Sequence, residues 1–167
     1  NFLIILIIIL IPVKSFGLIE VDITRGNLNP LPIAVSPLSI NEESRKNFQN
    51  ILKKKNIGSE ISLIVENNLK VSGLFNPLNK DAFLQEPDIA NLKPRFEDWN
   101  LIKAQALITG KVSYVEEKLR VEFRLWDVLA GKEMMALAFT TVPNNWRRVG
   151  HIITDKVYER LTGEKGY

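Results

Sequence analysis

Polar and apolar positions change rhythm several times along the chain. Residues 2–13 read FLIILIIILIPV, an unbroken apolar run. Then Ile19, Val21 and Ile23 alternate with Glu20, Asp22 and Thr24, the period of two that marks a strand with one covered face. Gly26, Asn27, Asn29 and Pro30 end that segment as a turn or linker. Leu31–Ser36 (LPIAVS) predicts a second strand, with Pro32 keeping it near an edge or a start and Pro37 closing it. Residues 41–56 are polar with a sparse stripe of Phe48, Ile51 and Leu52, which predicts a surface helix. Over 59–72 the stripe is fuller: Ile61, Ile64, Val65 and Leu69 share one helical face. Ser59 is placed to cap that helix, and Gly73 sits where a left-handed residue ends one.

The rest of the chain splits in two. Residues 76–105 contain Pro77, Pro87 and Pro94 and read as an irregular stretch, with a short helical turn over Phe96–Ala104. After it, three strands are expected at Ala106–Val115, Leu119–Val128 and Glu133–Val142. The second is clearest, with Leu119, Val121, Phe123 and Leu125 on one side and Arg120, Glu122 and Arg124 on the other. Glu116–Lys118 and Ala130–Lys132 are short enough for hairpin loops, and Gly131 suits one that needs positive φ. A final helix is expected from Trp146 to Leu161, on the stripe Trp146, Val149, Ile153, Val157 and Leu161, with Asn145 as cap and Gly163 as terminator. The order gives an α/β fold: a mixed four- or five-stranded sheet with a C-terminal antiparallel meander and two main helices packed on one face.

Composition narrows the class. The 167 residues are 46% apolar and 25% charged, which fits one folded domain and excludes a disordered acidic or basic tail. The apolar run at 2–13 is too short for a bilayer, which takes about 20 residues, and fits the core of a secretory signal peptide, about 7–15 residues. Ser15 and Gly17 are small residues at −3 and −1 of a cleavage after Gly17. The basic start of such a signal is missing and the chain does not begin with Met. A retained membrane anchor and a buried core strand are the other readings. The domains expected are therefore a signal peptide at 1–17, a mobile N-terminal strand and linker at 18–30, and an α/β domain at 31–167. Cleavage removes Lys14 and lowers a net charge that is only +3, which argues against electrostatic capture of nucleic acid. Without Cys, and with His151 as the single histidine, neither a cysteine site nor a multi-histidine metal site can be built within one chain.

Little in the sequence promises catalysis. No two glycines are separated by one residue, and neither GxSxG nor a Walker sequence occurs. His151 and Asp155 are four apart on the last helix, a spacing that more often supports the helix than orients an imidazole. A small exported hydrolase using His151 is the enzymatic alternative. Glu42–Glu43 and Glu116–Glu117 are adjacent pairs that do not converge, so they read as solvated surface. Lys53–Lys55 reads as a solvated helix end. Trp99, Trp126 and Trp146 read as packing residues rather than a sugar platform. The feature with no evident use is the alternating IEVDIT segment. At a chain start it either pairs with its own sheet or adds to the sheet edge of another protein.

A set of short stretches carries a family resemblance. They are Ser72-Gly73-Leu74-Phe75-Asn76-Pro77-Leu78, Asp81-Ala82-Phe83, Phe96-Glu97-Asp98-Trp99, Ala104-Gln105-Ala106-Leu107 with Thr109-Gly110, and Leu125-Trp126-Asp127. Trp146-Arg147-Arg148, His151, Asp155, Tyr158-Glu159 and the closing Leu161-Thr162-Gly163-Glu164-Lys165-Gly166-Tyr167 complete it. In this order and spacing, from about Ile19 to Tyr167, the chain resembles the N-terminal domain of the TolB family, periplasmic components of the Tol-Pal system of Gram-negative bacteria. The region 41–57 is more Lys-rich than the resemblance leads one to expect.

The resemblance implies a non-enzymatic adaptor without cofactors, periplasmic, monomeric and peripheral to the membrane after signal cleavage. It contributes to outer-membrane integrity and to constriction during division. In the family a six-bladed β-propeller follows this domain and binds the lipoprotein Pal. The mature N-terminus binds the C-terminal domain of TolA, and propeller occupancy controls whether it is free. The positions matching that segment are Ile19, Glu20, Val21, Asp22, Ile23, Thr24 and Arg25. The propeller is absent from these residues, so the end at Tyr167 reads as a truncation at a domain junction, and Pal binding is not carried over. A membrane-anchored scaffold domain remains the alternative beside the hydrolase.

Overall fold

The computed structural model describes residues 19–21 and 29–165. The expected signal peptide, residues 22–28 and the last two residues lie outside them. Six strands form one mixed sheet: β1 (Leu31–Val35), β2 (Ser39–Ile40), β3 (Phe75–Pro77), β4 (Ala106–Val115), β5 (Lys118–Asp127) and β6 (Lys132–Thr141). Their order is β3-β1-β4-β5-β6, with β2 beside the far half of β4. The first half is parallel: Ile33 lies opposite both Pro77 and Ala106, and Ser39 opposite Lys111. The second half is the expected antiparallel meander, with Val112 opposite Val121 and Val121 opposite Phe139. Parallel neighbours need long crossovers. The one from β1 to β3 carries two helices, α1 (Glu42–Leu52) and α2 (Ile57–Val71). The one from β3 to β4 carries the short helices α3 (Pro87–Leu92) and α4 (Phe96–Leu101). The chain closes with α5 (Trp146–Thr162).

The two periodic helices do what their stripes demand. Ile57, Ile61, Val65 and Leu69 of α2 and Val149, Ile153, Val157 and Leu161 of α5 are buried against Ile33, Val35, Ile108, Val121, Phe123 and Leu125 of the sheet. Each side chain taken fully out of water contributes about 1.5–3 kcal/mol. The helices approach each other at Gly150, where an added Cβ would stand 2.9 Å from the Ile64 Cγ2. A smaller core covers the opposite face: Ala34, Ala90, Trp99, Ala104, Leu107 and Val128.

The sequence reading holds for the three long strands, both main helices and the left-handed residues Gly73, Gly131 and Gly163. Four details differ. β2 and β3 raise the strand count to six. They are two and three residues long, too short to show an alternation. No strand forms over residues 19–21. Helix α2 begins at Ile57 with Asn56 before it, so Ser59 lies inside the first turn instead of capping it. Asn145 does not cap α5 either: its amide donates to Thr141 Oγ1 at 2.9 Å, at the end of a 3₁₀ turn over Pro143–Asn145.

The β4–β5 loop is also tighter than expected. Strand pairing runs to Val115↔Lys118, leaving Glu116 and Glu117 as a two-residue turn with φ of 49° and 59°. That matches the right-handed twist of the hairpin but is a left-handed conformation that non-glycine residues adopt at a cost. The three tryptophans are packing residues. Trp99 and Trp146 are buried, and half-buried Trp126 donates its indole N–H to Thr109 Oγ1 at 2.9 Å.

Candidate functional site

The segment singled out in the sequence begins at Ile19, and its first three residues are seated on the domain. Helix α5 ends at Thr162, so the carbonyl of Leu161 has no partner within the helix. The Val21 N–H donates to it at 2.7 Å. The Ile19 N–H donates to Asp127 Oδ2 at 3.1 Å. Asp127, at the end of β5, is 1% exposed, and its other carboxylate oxygen accepts the Ala130 N–H of the β5–β6 turn at 2.8 Å. Both carboxylate oxygens thus accept backbone N–H groups, which offsets the cost of burying a charge.

Ile19 and Val21 are half-buried against the main core, while Glu20 is exposed between them. The alternation read in the sequence is thus expressed in these three residues. Glu20 lines a surface groove of about 480 Å³ with Met135, Lys156, Glu159, Arg160 and Gly163. Asp22, Ile23, Thr24 and Arg25 lie outside the described residues.

Asp127 and the Leu161 carbonyl were not among the residues the sequence suggested. A signal for Asp127 was present. It continues the inward series Leu119, Val121, Phe123, Leu125 in phase, so a carboxylate falls on the buried side of β5. The Leu161 carbonyl leaves no trace in sequence, because any residue at a helix end supplies one.

Among the described residues, the enzymatic alternative finds a groove but no nucleophile arrangement. Asn68, Val71, Ser72, His151, Thr154, Asp155 and Tyr158 line a cleft of about 560 Å³ between α2 and α5. His151 Nδ1 lies 2.9 Å from Asn68 Nδ2, which also donates to Thr154 Oγ1 at 3.3 Å. The Ser72 hydroxyl donates to the Leu69 carbonyl at 2.6 Å. His151 therefore joins two helices rather than activating Ser72. Among the described residues, no group of three or more His, Cys, Asp or Glu could hold a metal ion. Among them also, no helix is long and apolar enough to cross a membrane.

Residues 19–134 match the family model of the TolB amino-terminal domain, which is more than half of the chain. The chain belongs to the TolB family. Over 162 residues it is 81% identical to the Tol-Pal system protein TolB of Pelagibacter ubique (strain HTCC1062), covering 97% of this chain and 36% of that protein. The chain thus spans about a third of the length of that relative. Among solved structures, TolB from Acinetobacter baumannii matches with a TM-score of 0.61 at 21% identity, over 88% of this chain and 32% of the other. That likeness concerns the fold, and it bears out the mixed sheet with its antiparallel C-terminal half.

Proposed function

We propose that this TolB domain is a non-enzymatic periplasmic adaptor of the Tol-Pal system, and that it engages the C-terminal domain of TolA through Ile19–Arg25. On this reading residues 1–17 are a cleaved signal, residues 18–30 a mobile strand and linker, and the domain serves outer-membrane integrity and constriction at division. Pal binding belongs to the part of the longer relatives that these residues do not cover.

The observation that carries the reading is how lightly Ile19–Val21 are held. Among the described residues, two hydrogen bonds given by their backbone N–H groups and two half-buried side chains tie them down. The bond to the Leu161 carbonyl contributes about 0.5–1.5 kcal/mol net and the one to the Asp127 carboxylate about 1.5–3, so a partner offering a full strand ladder competes with the seat. Further support comes from the family match and from the Ile19/Val21 alternation, which suits addition to a sheet edge.

The test is two-dimensional NMR of labelled chain lacking residues 1–17, titrated with the TolA C-terminal domain. Resonances of residues 19–25 are expected to shift on titration while the sheet stays unchanged. Deletion of 19–25 is expected to abolish binding without loss of a cooperative melt. Binding that survives the deletion moves the contact elsewhere.

A further inference from the structure

Asp127 is a buried carboxylate answered by neutral donors. It is 1% exposed, and a carboxylate is almost never hidden that far without a counter-charge. Its two oxygens offer about four lone-pair sites. The Ile19 N–H takes one at 3.1 Å and the Ala130 N–H another at 2.8 Å. Among the described residues no cation completes the set: Lys132, the register partner of Asp127 on β6, is exposed. Two backbone N–H groups soften the loss of hydration but bring no charge.

The chain's own processing supplies one. Cleavage after Gly17, the site expected from Ser15 and Gly17, turns the Leu18 nitrogen from a neutral amide into an α-ammonium. Leu18 lies outside the described residues, and covalent geometry alone bounds that nitrogen. It is three bonds from the Ile19 nitrogen, so the two stand within about 4 Å. The Ile19 nitrogen is itself 3.1 Å from Asp127 Oδ2, which keeps the new charge within about 7 Å of the carboxylate. Rotation about a single ψ angle, that of residue 18, sets how close it comes.

We propose that Asp127 is the receptor for the α-ammonium of the processed chain, so that signal removal fastens Ile19–Val21 to the domain. The receptor is built in advance. Asp127 ends β5, and its second oxygen is held by the β5–β6 turn through Ala130. Two residues further along the incoming chain, the Leu161 carbonyl receives the Val21 N–H at 2.7 Å. The unprocessed chain makes the backbone bonds alone, whereas the processed one adds an ion pair at a buried carboxylate, where salt screens little. The seat stays light enough for a strand ladder to displace, but a partner must first break that pair. The pairing presupposes the reading of residues 1–17 as a cleaved signal and of 19–25 as the adaptor strand, and it names what regulates that strand.

Amide hydrogen exchange, read by NMR on two chains that begin at Leu18 and at Ser15, tests the pairing. The Val21 N–H is expected to exchange about fivefold more slowly, or slower still, in the chain that begins at Leu18. Asp127→Asn is expected to bring the two chains to one rate, and Lys132→Ala to leave the difference in place. Should Asp127→Asn lose its cooperative melt, the Nα-acetylated chain beginning at Leu18 serves as the charge-free control and is expected to exchange like the longer chain. Equal exchange in the two unsubstituted chains overturns the proposal. A difference that survives Asp127→Asn or acetylation, or that disappears in Lys132→Ala, overturns it equally. The exchange is read without a partner, so it is separate from the titration with TolA: shifts of 19–25 alongside equal exchange would keep the adaptor strand and remove the amine receptor.

Discussion

The two faces of the sheet are covered by different means. Under α2 and α5 the cover is periodic: two helical stripes and the inward positions of β1, β4 and β5 interlock, and the buried hydroxyl of Ser62, which accepts the Leu38 N–H at 3.0 Å, is a polar tie beside an apolar stripe. Under α3 and α4 the cover is two six-residue helices around Trp99, held by one amide. Gln85 Oε1 accepts both the Trp99 indole N–H at 2.9 Å and the Arg95 N–H at 3.0 Å, while its Nε2 donates to the Lys93 carbonyl at 3.2 Å. Phe83 adds an edge-on contact with Trp99 at 5.0 Å between ring centres. The first face rests on area removed from water. The second rests on a polar hub that orders chain too irregular to pack by periodicity.

The comparison breaks first at its centres. Phe123→Ala, in the periodic core, is expected to cost about 3–5 kcal/mol in urea unfolding, from lost burial plus the cavity left behind. Gln85→Ala removes no large apolar group, yet it strands the buried Trp99 N–H and leaves the part-buried Arg95 N–H without its acceptor. It is expected to cost about 2–3 kcal/mol and to alter the near-ultraviolet signal of Trp99. If Gln85→Ala costs only a few tenths of a kcal/mol, the second face is held by its apolar contacts and the contrast fails.

Legibility follows the same division. Three- and four-residue spacings revealed α2 and α5 because helices that bury a stripe must write it in sequence. Leu119 to Leu125 revealed β5 for the matching reason. Nothing periodic announces Gln85, whose role depends on Lys93, Arg95 and Trp99 arriving around it in space. β2 and β3 were hidden by brevity, and the seat of Ile19 by its dependence on Asp127, 108 residues away. The family resemblance supplied the segment 19–25, while the seat beneath its first three residues came only with the fold.

Where the two faces meet at the rim, smaller changes discriminate. Asp127→Asn keeps one good acceptor where two N–H donors now converge. It is expected to cost about 1–2 kcal/mol and to speed hydrogen exchange at Ile19 while leaving β4 and β5 protected. Unchanged exchange at Ile19 would show that Val21 and the apolar contacts hold the segment without the carboxylate. At the hairpin tip the sign reverses. Glu116→Asn with Glu117→Gly suits the left-handed turn and is expected to stabilise by about 1 kcal/mol, read as a higher urea midpoint at unchanged slope.

The open part of the second face gives the smallest effect and the one tied to pH. Beyond α3 and α4 that face carries Lys111, Arg120 and Glu122 as neighbours, with Glu122 at 3.0 Å from Lys111 and 3.2 Å from Arg120. Partial burial pushes the Glu122 carboxyl up, but hydrogen bonds from Lys111 and Arg120 and their charges more than offset this, holding it below the ordinary glutamate value. A carboxylate with a lowered value adds stability above its unfolded-state value, and that stability is lost as pH falls through the folded one. The three side chains are partly solvated, so the contribution is about 0–1 kcal/mol. Glu122→Gln is therefore expected to lower unfolding free energy by a few tenths of a kcal/mol near pH 7, with the gap closing as wild-type Glu122 takes up its proton. Urea unfolding at about pH 7 and about pH 3 compares the two. A gap of equal size at both would mean that the substitution acts through shape, and that this face, like the periodic one, owes nothing measurable to its charges.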